Sequence, residues 1–119
     1  MVYTASVIKG KGRGTGLGFP TLNLEIPKKF EARQGIYAGY VYENRIKYQA
    51  AIYYGSVPTF DEEALTLEAF LLDTVLTKRP RKVQFELVAF IREVLKFPDT
   101  QALSAQIVRD VEEARRVLP

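Results

Sequence analysis

Five glycines alternate with larger residues near the start of the chain: Gly10, Gly12, Gly14, Gly16 and Gly18, separated by Lys11, Arg13, Thr15 and Leu17. Glycine lets backbone N–H groups approach a ligand closely and adopt positive φ. Together with Lys9, Lys11 and Arg13, such a segment could wrap a polyphosphate in a nest of amides and cations. It contains neither a Gly-Lys-Ser/Thr P-loop nor a G-x-G-x-x-G dinucleotide motif. A flexible basic loop without a ligand is the competing reading.

Pro20-Thr21-Leu22-Asn23 follows directly. In an extended segment the side chains of Thr21 and Asn23 point the same way. Their neutral oxygens could hold a magnesium ion together with phosphate oxygens, because Mg²⁺ usually needs few protein ligands. Alternatively they satisfy backbone groups in a turn. Glu68 is the one charge in Thr66-Leu67-Glu68-Ala69-Phe70-Leu71-Leu72. Partial burial would suit it to accept a hydroxyl proton. The alternative is a structural ion pair with Arg92, and Glu86, in a similar run, is a competing base.

What is missing narrows the chemistry further. The 119 residues include no His, no Cys and no Trp. Disulfides, thiolate nucleophiles, imidazole catalysis and Cys- or His-based metal sites are therefore excluded. Carboxylates, hydroxyls, amides, Lys, Arg and a hard oxygen-ligated metal remain. The charge balance, 17 basic against 14 acidic residues, gives +3. That is too mild to imply nucleic acid by itself. Lys78, Arg79, Arg81 and Lys82 form a basic run around Pro80 and read as a solvated loop. No apolar run approaches the roughly 20 residues that cross a bilayer, and no signal peptide is evident. Membrane association is not expected, and the cytoplasm is the expected location.

These residues need a scaffold, and the pattern predicts strands followed by one helix. The length suits a single domain, 1–119. Residues 3–9 read as a first strand. Residues 35–42 and 46–54 are aromatic and β-branched runs separated by Glu43, Asn44 and Arg45, which predicts a tight antiparallel hairpin. Its tyrosines, Tyr37, Tyr40, Tyr42, Tyr48, Tyr53 and Tyr54, read as core and wall packing, or else as a stacking surface. Residues 66–72 and 83–91 are strands apolar on both faces, as in a closed or covered sheet. After Pro98, Asp99 or Thr100 can cap a helix. Leu103, Ile107, Val111, Ala114 and Leu118 then lie on one helical face. Five or six short strands and one helix suggest a small antiparallel barrel with a helical lid.

In this order the pieces resemble the riboflavin kinase (flavokinase) family. The resemblance runs through Gly12-Arg13-Gly14, Leu17-Gly18-Phe19-Pro20-Thr21-Leu22-Asn23-Leu24 and Gly35-Ile36-Tyr37-Ala38. It continues with Gly55 before Pro58-Thr59-Phe60, Leu67-Glu68 with Leu71-Leu72-Asp73, and Ile91-Arg92 with Lys96-Phe97. Leu103, Gln106-Ile107, Asp110 and Ala114-Arg115 complete it, so nearly the whole chain is covered. The resemblance implies a mainly β fold, a six-stranded antiparallel Greek-key barrel with a C-terminal helix. It implies transfer of the ATP γ-phosphate to the riboflavin 5′-hydroxyl, giving FMN. Gly10, Lys11, Gly12, Arg13, Gly14 and Gly18 would then embrace the nucleotide with Thr21 and Asn23. Thr21 and Asn23 would hold Mg²⁺, Glu68 would be the catalytic base, and Arg92 and Phe97 would help bind the flavin. The partners implied are small molecules, with the chain acting as a monomer. The adenylyltransferase half of bifunctional members carries a His-x-Gly-His motif, which a chain without His does not contain.

Three departures from the family pattern stand out. Leu22 replaces the alanine of Pro-Thr-Ala-Asn, a larger side chain beside the expected metal ligands. Tyr53-Tyr54-Gly55 replaces an Asn-Ile-Gly, and segment 74–80 is shorter and more basic than the usual Asp-Leu-Tyr-Gly turn. Two other functions compete with the kinase. One is a flavin- or nucleotide-binding module of the same fold without turnover. The other is a small barrel binding single-stranded nucleic acid through basic and aromatic side chains.

Overall fold

The computed structural model describes residues 1–10, 21–74, 76 and 78–119. Six strands form a closed antiparallel barrel: β1 (Val2–Ile8), β2 (Thr21–Leu24), β3 (Gly35–Glu43), β4 (Ile46–Val57), β5 (Glu62–Leu71) and β6 (Lys82–Arg92). Around the barrel they run β1-β2-β5-β4-β3-β6. Strands β3, β4 and β5 follow one another as neighbours, and β6 returns to lie beside β3, which is the Greek-key arrangement. Closure leaves no full-length edge for another chain to pair with.

Alternation along β3, β4, β5 and β6 divides their apolar residues between two cores. Ala5, Leu22, Tyr37, Ile52, Leu67 and Phe85, one from each strand, belong to the buried cluster that fills the barrel. Ala38, Ala51, Phe70 and Leu72 face the other way and pack against Ile107, Val111, Ala114 and Leu118. The helix that carries the first three, α1 (Thr100–Val117), with Leu118 as its C-cap, lies across the outer wall of β3, β4 and β6. The small side chains of Ala38 and Ala51 let it approach the sheet closely. This explains the two apolar faces of β5: Leu67, Ala69 and Leu71 point into the barrel, Phe70 and Leu72 toward the helix.

Local chemistry sets the ends of these elements. Asn44 and Arg45 both have positive φ, 49° and 66°, and form the two-residue loop between β3 and β4. Positive φ at both positions is the turn geometry that matches strand twist, here without glycine. Asp99 caps α1, its side chain accepting from the Ala102 N–H at 2.8 Å. Arg115 donates to Asp73 at 2.9 Å, tying the last turn of the helix to the end of β5.

Candidate active site

Strand register brings the predicted site residues together. On β2 Leu22 and Leu24 are buried in the barrel, so Thr21 and Asn23 take the outer face. Asn23 is paired with Glu68 of β5, and Glu68 with Tyr53 of β4. Cross-strand partners share a face, so an amide, a carboxylate and a phenol form one row across the outer wall. One rung along, Thr21 is paired with Phe70, whose other neighbour is Ala51.

Two clefts meet at this row. The first is bounded by β4, β5, the end of β6, a short 3-10 turn (Pro58–Phe60), segment 93–99 and α1. It is lined by Tyr53, Val57, Pro58, Thr59, Phe60, Glu68, Phe70, Arg92, Leu95, Phe97, Thr100, Leu103 and Ile107. Its mostly apolar lining, with Phe60, Phe70 and Phe97 among it, suits a planar organic ligand. The second is lined by Ile8, Lys9, Gly10, Asn23, Leu24, Glu25, Ile26, Leu65, Thr66, Leu67 and Glu68. Glu68 lines both.

The walls of the first cleft are fastened by polar contacts. The Phe97 N–H donates to Thr59 Oγ1 at 3.0 Å, and Lys96 pairs with Asp61 at 3.2 Å, joining segment 93–99 to the turn after β4. Gly55, at φ 151°, permits this approach: a Cβ there would lie 2.7 Å from Val94 Cγ2. Arg92 holds Asp110 of α1 through Nε–Oδ1 at 2.9 Å and a terminal nitrogen to Oδ2 at 2.6 Å. The guanidinium lies 5.7 Å from the centre of the Phe97 ring. The Tyr53 hydroxyl donates to the Ser56 carbonyl. Burial pushes the Tyr53 phenol up to about 12; nearby Arg92 opposes that rise and nearby Glu68 adds to it.

Asn23, Glu68, Arg92 and Phe97 converge on the two clefts, and Gly10 borders the second. Thr21 shares the outer face of β2 with Asn23 but lines neither cleft among the described residues. Lys11, Gly12, Arg13, Gly14 and Gly18 lie outside the described residues. The guanidinium of Arg92 goes to Asp110 of the helix, where sequence offered Glu68 as its partner. Glu86, the competing base, accepts from the Tyr42 hydroxyl at 2.8 Å and lines neither cleft. That bond raises the Tyr42 pKa. Leu22 is 5% exposed and points into the barrel, so its extra bulk is turned away from Thr21 and Asn23. Of the hairpin tyrosines, Tyr37, Tyr40 and Tyr54 are buried in the two cores, and Tyr53 alone lines the first cleft.

Sequence reasoning gave Asp110, Thr59 and Ile107 no part in the site. For Asp110 a signal existed: it interrupts the apolar stripe between Ile107 and Ala114, where a lone carboxylate needs a buried partner. Thr59 carried no such mark, because only the fold brings it to Phe97.

Comparison with known proteins bears on the family and the fold. The family model for riboflavin kinase matches residues 1–118. The chain belongs to the riboflavin kinase family. It is 32% identical over 110 residues to the "Trifunctional protein RibF/MnmA" of Mycoplasmoides gallisepticum, covering 92% of this chain and 17% of that protein. It is also 32% identical over 113 residues to the bifunctional riboflavin kinase/FMN adenylyltransferase of Haemophilus influenzae, covering 92% of this chain and 36% of the relative. Among solved structures, a protein from Streptococcus pneumoniae described as a macrolide-efflux protein superposes with a TM-score of 0.82 at 28% identity. That match covers 99% of this chain and 39% of the other. The chain thus spans well under half the length of these relatives. Among the described residues, no helix is long and apolar enough to cross a membrane.

Proposed function

We propose that this riboflavin kinase domain is an ATP:riboflavin 5′-phosphotransferase that makes FMN. The observation that carries the reading is the position of Glu68 in the wall common to both clefts, one apolar and one bordered by Lys9, Gly10 and Asn23. With a planar ring system against the apolar walls of the first cleft and a polyphosphate beside Lys9 and Gly10 in the second, their reacting ends would meet at the carboxylate. Glu68 orients the 5′-hydroxyl and takes its proton as the phosphoryl group transfers. Phosphoryl transfer demands mainly positioning and charge stabilisation, so a site without His or Cys is sufficient.

The donor set suits Mg²⁺. Thr21 and Asn23 place two neutral oxygens on one face of β2, with the Glu68 carboxylate on the rung of Asn23. Among the described residues no cluster of three or more His, Cys, Asp or Glu could cage a metal on protein ligands alone. A cation here would complete its shell with phosphate and water oxygens, as Mg²⁺ does. Thr21 and Asn23 would hold it, and it would supply charge neutralisation of the phosphates.

The test is separation of flavins after incubation with riboflavin, Mg²⁺ and ATP, where FMN is expected. Glu68→Gln should lower kcat by about 10²- to 10⁴-fold while riboflavin still quenches on binding. Unchanged kcat would remove Glu68 as the base. One observation favours the module without turnover. Tyr53 stands where many family members have Asn, and its half-buried ring adjoins Glu68 across the strands. Flavin quenching with no FMN formed would establish that alternative. The cytoplasm and a monomeric state remain part of the proposal.

A further inference from the structure

Asp110 is the one buried charged residue among the described residues, 1% exposed, and it sits on the helix face that covers the barrel. Its carboxylate accepts from Arg92 in a two-pronged contact at 2.9 and 2.6 Å, and from Gln106 Nε2 at 3.1 Å. The Arg92 side chain is only 13% exposed, yet it lines the apolar cleft. A guanidinium has five N–H donors. Asp110 takes Nε–H and one hydrogen of a terminal nitrogen, and the Glu93 carbonyl takes one from the other at 2.9 Å. One donor on each terminal nitrogen has no partner among the described residues.

A buried ion pair is weak evidence for stability, since apolar residues of similar volume often serve as well. This pair lies instead where a cavity meets the helix. We propose that Asp110 is a positioning residue for flavin binding: it acts through Arg92, locking the guanidinium in the cleft wall so that its spare donors meet acceptor atoms of the planar ligand. Gln106 braces Asp110 in turn. This inference rests on the flavin reading of the cleft.

Riboflavin binding to the full chain by fluorescence quenching, with KM and kcat measured alongside, tests it. Asp110→Asn keeps the shape but loses the charge. It should raise the riboflavin Kd about tenfold or more, the loss expected for a charge-assisted hydrogen bond, and move KM more than kcat. In an Arg92→Lys background the same substitution should add little, because the two act as one unit. If Asp110→Asn fails to fold, Gln106→Leu provides the reading, with a smaller rise in Kd. An unchanged Kd in whichever variant folds, or full additivity with Arg92→Lys, overturns the inference while leaving the flavin site standing. A wild-type chain that does not bind riboflavin overturns both.

Discussion

At the scale of single residues, the site depends on side chains whose space is tightly limited. Gly10 is the clearest case. A Cβ there would fall 2.0 Å from Asn23 Nδ2 and 2.3 Å from Asn23 Cγ, so any larger residue must displace the amide. Gly10→Ala should therefore cut kcat/KM for ATP, by about 100-fold if the shift approaches 1 Å. Riboflavin quenching, read at the other cleft, should hardly change. Equal losses for both substrates would show that the substitution disturbs the fold rather than Asn23. Tyr53 gives a second prediction. Its folded-state pKa of about 12 lies above the ordinary 10.0, so the folded protein favours the neutral phenol. That contribution is complete below pH 10 and is lost as pH rises towards 12. Tyr37 and Tyr42 shift in the same direction. Urea unfolding followed between pH 9 and 12 should show stability falling, and falling less steeply in Tyr53→Phe. Identical slopes would mean that Tyr53 titrates as it does in the unfolded chain.

At the scale of elements, the caps and turns that fix segment ends also fix the cleft. Asp99 is the cap of α1 and the last residue of segment 93–99, which walls the cleft with Leu95 and Phe97. Asp99→Ala should cost about 1 kcal/mol of stability, seen as a lower urea midpoint, with a modest rise in riboflavin KM because the helix entry carries Thr100. A loss of stability without any change in KM would separate the helix start from the site. Much of this level was legible in the chain. Leu103, Ile107, Val111, Ala114 and Leu118 announced the helix because their spacing follows the 3.6-residue period. The aromatic runs on either side of Asn44 and Arg45 announced the hairpin because strand pairing across so short a loop is local. Thr21, Asn23 and Glu68 were readable as residue types, and the resemblance placed them. What stayed hidden was non-local. Leu22 looked like an intrusion beside the site until the strand alternation turned it inward. The Arg92–Asp110 pair spans 18 positions between a strand and a helix, and no local pattern selects that partner over Glu68.

At the scale of the molecule, two cores share one sheet, and the cleft opens where the second core ends. The barrel interior is filled by side chains from all six strands, so a ligand has no place there. Helix α1 covers only part of the outer wall. Between its first turns and the strand ends, Phe70, Leu103 and Ile107 are left to line the cavity. Filling that cavity should finish the second core and press the helix onto the sheet. Riboflavin at 100 times its Kd would stabilise the folded chain by about 2.7 kcal/mol. Hydrogen exchange should then slow mainly in 93–117 and in the outer rungs of β4 and β5. ATP with Mg²⁺ should protect β2 and the end of β1, where Lys9, Gly10 and Asn23 border the other cleft. Protection of the helix by nucleotide but not by riboflavin would exchange the two assignments, and with them the side from which Glu68 meets the hydroxyl.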